Sequence, residues 1–150
     1  MSEITKPSVI LLAEDDSDDR LLLQDAINEC KWGGELHYVE NGEELLDYLS
    51  RRGKYQPPAN APWPGLILLD LNMPRKDGRE ALRAIKADAK MRQIPVVVLT
   101  TSKADTDIAS LYELGANSFI SKPVNFEGLV DVIRALGQYW FQIVQLPLAR

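Results

Sequence analysis

Leu66-Ile67-Leu68-Leu69-Asp70-Leu71-Asn72-Met73-Pro74 is the stretch that decides the fold: four aliphatic residues run without interruption into a carboxylate and then a turn. Such a run reads as a strand buried on both faces, the pattern of a parallel sheet covered by helices. In open sheets of that kind the chemistry gathers at the carboxyl ends of the strands. Three further runs end in reactive groups. Val9-Ile10-Leu11-Leu12-Ala13 leads into Glu14-Asp15-Asp16, Val96-Val97-Val98-Leu99 into Thr100-Thr101, and Phe119-Ile120-Ser121 into Lys122-Pro123. Acids, a hydroxyl and an ammonium are therefore expected on one rim.

Working outward, apolar strands alternate with amphipathic stretches five times, the signature of a doubly wound α/β domain with a five-stranded parallel sheet and helices on both faces. A first helix is predicted from about Asp18 to Cys30, with Leu22, Leu23, Ala26, Ile27 and Cys30 on one face and Gly33-Gly34 ending it. Glu35-Leu36-His37-Tyr38-Val39 reads as a second strand. Asn41 and Glu44 form a capping-box pattern for a helix carrying Leu45, Leu46 and Leu49. Asp77 and Glu80 can cap a helix through Leu82 and Ile85. Ser102 and Asp105 can cap another with Ile108, Leu111 and Tyr112, closed by Gly115. Asn125 starts the last helix, whose apolar positions Leu129, Val132, Ile133, Leu136, Trp140, Ile143 and Val144 extend beyond what one small sheet needs. The surplus points to a partner surface. Between Gly53 and Gly65, Pro57, Pro58, Pro62 and Pro64 forbid a helix. That segment is either a surface connection, the favoured reading, or a partner contact through Tyr55 and Trp63.

At 150 residues the chain fits one domain able to bury roughly 70% of its unfolded surface. A core over about 9–136 is expected, with a helical extension and tail over 137–150. The formal charge of −5 argues against a nucleic-acid backbone binder, which needs a basic face. A single cysteine, Cys30, excludes an internal disulfide and suits a reducing cytoplasm, and its place on an apolar helix face reads as core. A single histidine, His37, excludes His-rich metal sites. It has no evident acid partner and is given no role. No basic and apolar leader and no bilayer-spanning run is visible, so a soluble, unprocessed protein without membrane contact is expected.

The rim residues dictate a chemistry. Asp15 and Asp70 at adjacent strand tips would repel unless a cation sat between them. Oxygen-only ligands favour Mg²⁺, with Mn²⁺ as a substitute, over Zn²⁺. Lys122 and Thr100 supply a positive charge and a hydroxyl donor suited to phosphoryl oxygens, although Lys122 can also be read as a solvated charge. Asp70 is then the nucleophile, and attack on a phosphoryl donor gives an acyl phosphate.

Glu14-Asp15-Asp16, Leu69-Asp70-Leu71-Asn72-Met73-Pro74 with Gly78, Thr100-Thr101 and Lys122-Pro123, in this order, resemble the receiver domain of two-component response regulators over about Val9 to Leu136. The resemblance implies a flavodoxin-like strand order 2-1-3-4-5 and Asp70 as phosphoacceptor. It also implies Mg²⁺ held by Asp15, Asp70 and the backbone carbonyl of Asn72, with Glu14 acting through water. Thr100 and Lys122 would hold the phosphoryl oxygens, Thr100 and Phe119 would act as the switch, and Lys122-Pro123 would be cis. Phe119 reads equally well as ordinary core. Thr101 stands where alanine or glycine is frequent. Asp16 adds a third acid and reads better as an N-cap than as a ligand. The proline-bearing loop and Gln138-Tyr139-Trp140-Phe141 are similar to those of stand-alone receivers that partner cyanobacterial phytochromes.

The implied function is that of a signalling phosphoacceptor, not an enzyme, taking a phosphoryl group from a histidine kinase, with a phytochrome as the candidate kinase. A homodimer is expected through the face of the last two helices and the tail, where Trp140 and Phe141 either cover the core or join the interface. A hydrolase of the haloacid-dehalogenase type is the enzyme alternative, but it needs a general acid where Asn72 stands. A nucleotidase lacks its Gly-x-x-x-x-Gly-Lys-Ser/Thr loop. A receiver-like docking module need not keep a repulsive carboxylate cluster.

Overall fold

The computed structural model describes residues 9–31, 35–70, 78–100, 112–113, 115, 118–123 and 125–139, with the side chains of Thr100 and Phe119 excepted. The strands are β1 (Val9–Ala13), β2 (Glu35–Val39), β3 (Leu66–Leu69), β4 (Val96–Thr100) and β5 (Ser118–Ser121). They pair in parallel in the order β2-β1-β3-β4-β5, as expected. The helices are α1 (Ser17–Cys30), α2 (Gly42–Ser50), α3 (Gly78–Ala87) and α4 (Phe126–Gln138). The helix predicted between Ser102 and Gly115 lies outside the described residues except at Tyr112 and Glu113, which are helical, and Gly115. No helix among the described residues is long and apolar enough to cross a membrane.

The uninterrupted apolar strands follow from a sheet covered on both sides. Successive strand side chains point to opposite faces, so Leu11, Ala13, Ile67, Leu69, Val96 and Val98 join one core with α2 and α3. Ile10, Leu12, Leu66, Leu68, Val97 and Leu99 join the other with α1 and α4. All four residues of β3 are fully buried, each worth about 1.5–3 kcal/mol relative to exposure.

The helix starts follow their capping residues. Asp16 Oδ1 accepts from the N–H groups of Asp18 and Asp19 at 2.8 and 3.0 Å, which makes it the N-cap of α1. Asn41 Oδ1 accepts from the Glu44 N–H, and Glu44 returns a carboxylate to the Glu40 N–H, one residue before the cap. Asn125 caps α4 through the Gly128 N–H. α1 ends on Lys31 in the left-handed region, with its N–H donating to the Asn28 carbonyl. The stop thus precedes Gly33 and Gly34, which lie outside the described residues.

Three other expectations are corrected. His37 has an acid partner: its Nε2 lies 2.8 Å from Glu35 Oε2, because residues two apart on a strand share a face. The cis peptide among the described residues is Pro57-Pro58 and not Lys122-Pro123; the trans preference of an X-Pro bond is small enough for context to decide. Cys30 is only partly buried, at the edge of the α1/α4 core, where its Sγ lies 3.5 Å from the Val130 carbonyl oxygen.

The proline-bearing connection is tied to α2. It holds a single 3₁₀ turn, Gly53–Tyr55. The Tyr48 hydroxyl donates to the Pro62 carbonyl at 2.7 Å and Arg51 Nη1 to the Ala61 carbonyl at 2.7 Å. Tyr55 packs against Tyr48 with ring centroids 5.1 Å apart, and both Tyr55 and Trp63 pack on the α2/α3 core. Tyr48→Phe is expected to lower stability by about 1 kcal/mol through loss of the bond to Pro62. Urea unfolding checks this; an unchanged midpoint would show that the loop does not depend on that hydroxyl.

Candidate phosphoacceptor and metal site

Strand register builds the site. Ala13 pairs with Leu69 across β1 and β3, and the ladder continues one step further. The Asp70 N–H donates to the Ala13 carbonyl at 3.0 Å, and the Glu14 N–H to the Val39 carbonyl at 3.0 Å. Glu14 and Asp70 therefore leave neighbouring strand tips at the point where the sheet order reverses, the place where open α/β sheets bind ligands.

Glu14, Asp15 and Asp70 each bring a carboxylate oxygen to within 4.8 Å of the others'. Asp15 is exposed, whereas Glu14 and Asp70 are only 1% and 8% exposed. Against them lies Lys122, carried in by the end of β5. Its Nζ stands 2.6 Å from Glu14 Oε1, 3.5 Å from Asp19 Oδ2 and 3.8 Å from Asp70 Oδ2. Glu14 Oε2 also accepts from the Asp16 N–H at 3.4 Å.

Burial first of all, and then the hydrogen bond and charge of Asp70, push the Glu14 carboxyl up to about 8 against the opposing pull of Lys122. Burial alone would lower the Lys122 ammonium. The hydrogen bond and charge of Glu14, followed by the charges of Asp70 and Asp19, reverse this and raise it, so the group stays cationic. Three clustered carboxylates with no sulfur or imidazole among them suit a hard divalent cation, whose charge would relieve their mutual repulsion.

The structure thus brings together Glu14, Asp15, Asp70 and Lys122. Thr100 is the last residue of β4, its backbone paired with Ser121 one residue before Lys122, and Phe119 pairs with Val98. Their side chains, and Asn72 and Thr101 altogether, lie outside the described residues. Asp16 is turned to capping. Sequence reasoning missed Asp19, which reaches Lys122 from the first turn of α1. Its only signal in the sequence is that it is the fifth acid of the run from Glu14 to Asp19.

The sequence matches the response regulator receiver domain family over residues 10–134. It is 40% identical over 147 residues to the response regulator Rcp1 of Synechocystis sp., covering 98% of each chain. The crystal structure of the Mn²⁺-bound form of Rcp1 superposes with a TM-score of 0.85 at 39% identity, over 94% of this chain and 99% of that one. That of the phosphorylated cyanobacterial phytochrome response regulator RcpA superposes with a TM-score of 0.85 at 38% identity, over the same shares, 94% and 99%.

The raised Glu14 carboxyl gives metal binding a pH dependence. Below about 8 Glu14 carries a proton that an incoming cation must displace, whereas above it the carboxylate is ready. Apparent Mg²⁺ affinity, measured by titration calorimetry, is expected to fall by up to roughly tenfold per pH unit from pH 8 downward. Glu14→Gln should flatten that profile. An unchanged slope in the variant would assign the proton to another group.

Proposed function

The chain belongs to the response regulator receiver domain family, and on that footing we propose that it takes a phosphoryl group on Asp70 from a histidine kinase of the phytochrome type. As a two-component response regulator it is a phosphoacceptor that carries a signal, with a histidine kinase as its partner. Residues 1–150 are read as one receiver domain. The observation that carries the assignment of Asp70 is its position beside Glu14 and Asp15, with the Lys122 ammonium 3.8 Å from its Oδ2. A nucleophilic carboxylate, a cation cluster site and a fixed positive charge then meet at one strand tip.

Mg²⁺ would be held by Asp15, Asp70 and the backbone carbonyl of Asn72, and when bound it neutralises charge on the transferring phosphoryl group. Glu14 acts on it through water: one of its oxygens is engaged by Lys122 and the other by the Asp16 N–H. Lys122 and the Thr100 hydroxyl hold the phosphoryl oxygens, which need donors because charge spreads over them during transfer. Thr100 and Phe119 form the switch that passes the new charge to the surface. The phytochrome assignment is supported by the likeness to Rcp1 and RcpA along nearly the whole chain. A homodimer is proposed through α4, the tail and the preceding helix. Exposed Tyr112 and Tyr139 on those elements support it.

Incubation with phosphoramidate and Mg²⁺ is expected to add one phosphoryl group to the wild type, read by intact mass, and none to Asp70→Asn or in the absence of Mg²⁺. A folded, Mg²⁺-saturated wild type that stays unmodified would sink the reading. Thr100→Ala should still accept the group but lose any phosphorylation-dependent change in sedimentation. Wild-type behaviour of that variant would refute the switch, and a monomer in both states at high micromolar concentration would remove the dimer.

A further inference from the structure

We propose that Asp19 is a positioning residue of this site: it is the resting-state counter-ion that Lys122 exchanges for a phosphoryl oxygen, and it thereby sets the rate of phosphorylation. The inference rests on the reading of Asp70 as phosphoacceptor. Three carboxylates surround the Lys122 ammonium, at 2.6 Å for Glu14, 3.5 Å for Asp19 and 3.8 Å for Asp70. They are not equivalent. Glu14 and Asp70 belong to the cluster that can hold a cation, whereas Asp19 stands outside it, on α1. Glu14 and Asp70 are walled in by the strands, while the Asp19 side chain is 48% exposed. Asp19 therefore has water to turn to when its partner leaves.

There is also room for the exchange. Asp19 and Lys122 both line a cavity of about 110 Å³ between α1 and the start of α4, whose wall includes Leu22, Pro123, Asn125 and Phe126. Asp16 fixes the base of this arm by accepting from the Asp19 N–H at 3.0 Å. The carboxylate of Asp19 is thus presented to the site by a capped helix turn.

In the transfer step an Asp70 carboxylate oxygen forms a bond to phosphorus as the P–N bond of phosphoramidate breaks, and its electron pair leaves with ammonia. Lys122 must turn towards the phosphoryl oxygens in that step and give up Asp19. The contact stabilises the resting state alone and so slows the forward reaction. Hydrolysis of the acyl phosphate differs: Lys122 is on the phosphoryl group both before and during it, so Asp19 has no leverage there.

Asp18 supplies the control. It lies in the same first turn of α1, carries the same charge and is exposed, and among the described contacts it does not reach Lys122. With phosphoramidate and saturating Mg²⁺, Asp19→Asn should be phosphorylated about two- to fivefold faster than wild type, the range given by one partly exposed ion pair. Asp18→Asn and Asp19→Glu should stay near the wild-type rate. Dephosphorylation should be unchanged in all three, and Asp19→Asn should lose its advantage on a Lys122→Met background.

Equal rates for Asp19→Asn and Asp18→Asn, with a phosphorylated wild type, would overturn the role of Asp19 and leave Asp70 standing. An advantage that survives Lys122→Met would also overturn it, since Asp19 would then act on the donor and not through Lys122. A wild type that takes no phosphate would remove the underlying reading and this inference with it.

Discussion

Like-charge repulsion at the strand tips is the constraint to which the rest of the structure answers. Glu14, Asp15 and Asp70 would separate in a free chain, yet their oxygens lie within 4.8 Å of one another. Two features hold them there. The backbone fixes Glu14 and Asp70 as direct continuations of β1 and β3, both wholly apolar strands packed on both faces. The Lys122 ammonium, nearly enclosed, then takes up part of the field of Asp70 and, above about pH 8, of Glu14. A buried ion pair of this kind is a weak source of stability because both groups have lost water. Its value is positional: it fixes the ammonium beside the Asp70 carboxylate.

The arrangement also links the rim to the surface of the protein. Lys122 and Pro123 lead directly into α4 through the Asn125 cap. A Cβ placed on Gly128 would come within 3.0 Å of Pro123 Cβ, so glycine lets the first turn of α4 sit tightly on that proline. A shift at Pro123 therefore meets a close-packed helix end. Packed elements move between discrete arrangements more readily than they deform, which gives a small displacement at the ammonium a route to α4 and, through it, to α1.

Most of this architecture was legible because it rests on local patterns. Apolar runs that end in acids marked β1 and β3, and Asp16, Asn41 and Asn125 marked three helix starts by their side-chain chemistry alone. The same reasoning fixed which residues share the rim, since parallel strands all deliver their carboxyl ends to one edge. It could not rank the contacts there. That Lys122 lies closest to Glu14 and also reaches Asp19 depends on side-chain packing across more than 100 positions of sequence. The Glu35–His37 pair is the reverse case: strand alternation alone puts the two residues on one face of β2, so this contact was readable from local pattern. Lys122-Pro123 differs again, because a family tendency stood in for a local cause.

The connection between Gly53 and Gly65 shows how long-range contacts settle what composition leaves open. Its prolines exclude an α-helix but say nothing of where Tyr55 and Trp63 point. Lys54 pairs with Glu44 at 2.7 Å, Tyr55 packs against Tyr48 with the rings tilted by 58°, and Trp63 faces the Lys90 ammonium at 5.0 Å. Both aromatics are committed to this chain and pack against the α2/α3 core. The loop thus clamps α2 along its length, and α2 covers one face of the strands that carry Glu14 and Asp70. Glu44 is at once part of the capping pattern that starts α2, through the Glu40 N–H, and the anchor for Lys54. One carboxylate therefore ties the turn after β2 to the proline-bearing segment that leads into β3, which steadies the face of the sheet opposite α1 and α4.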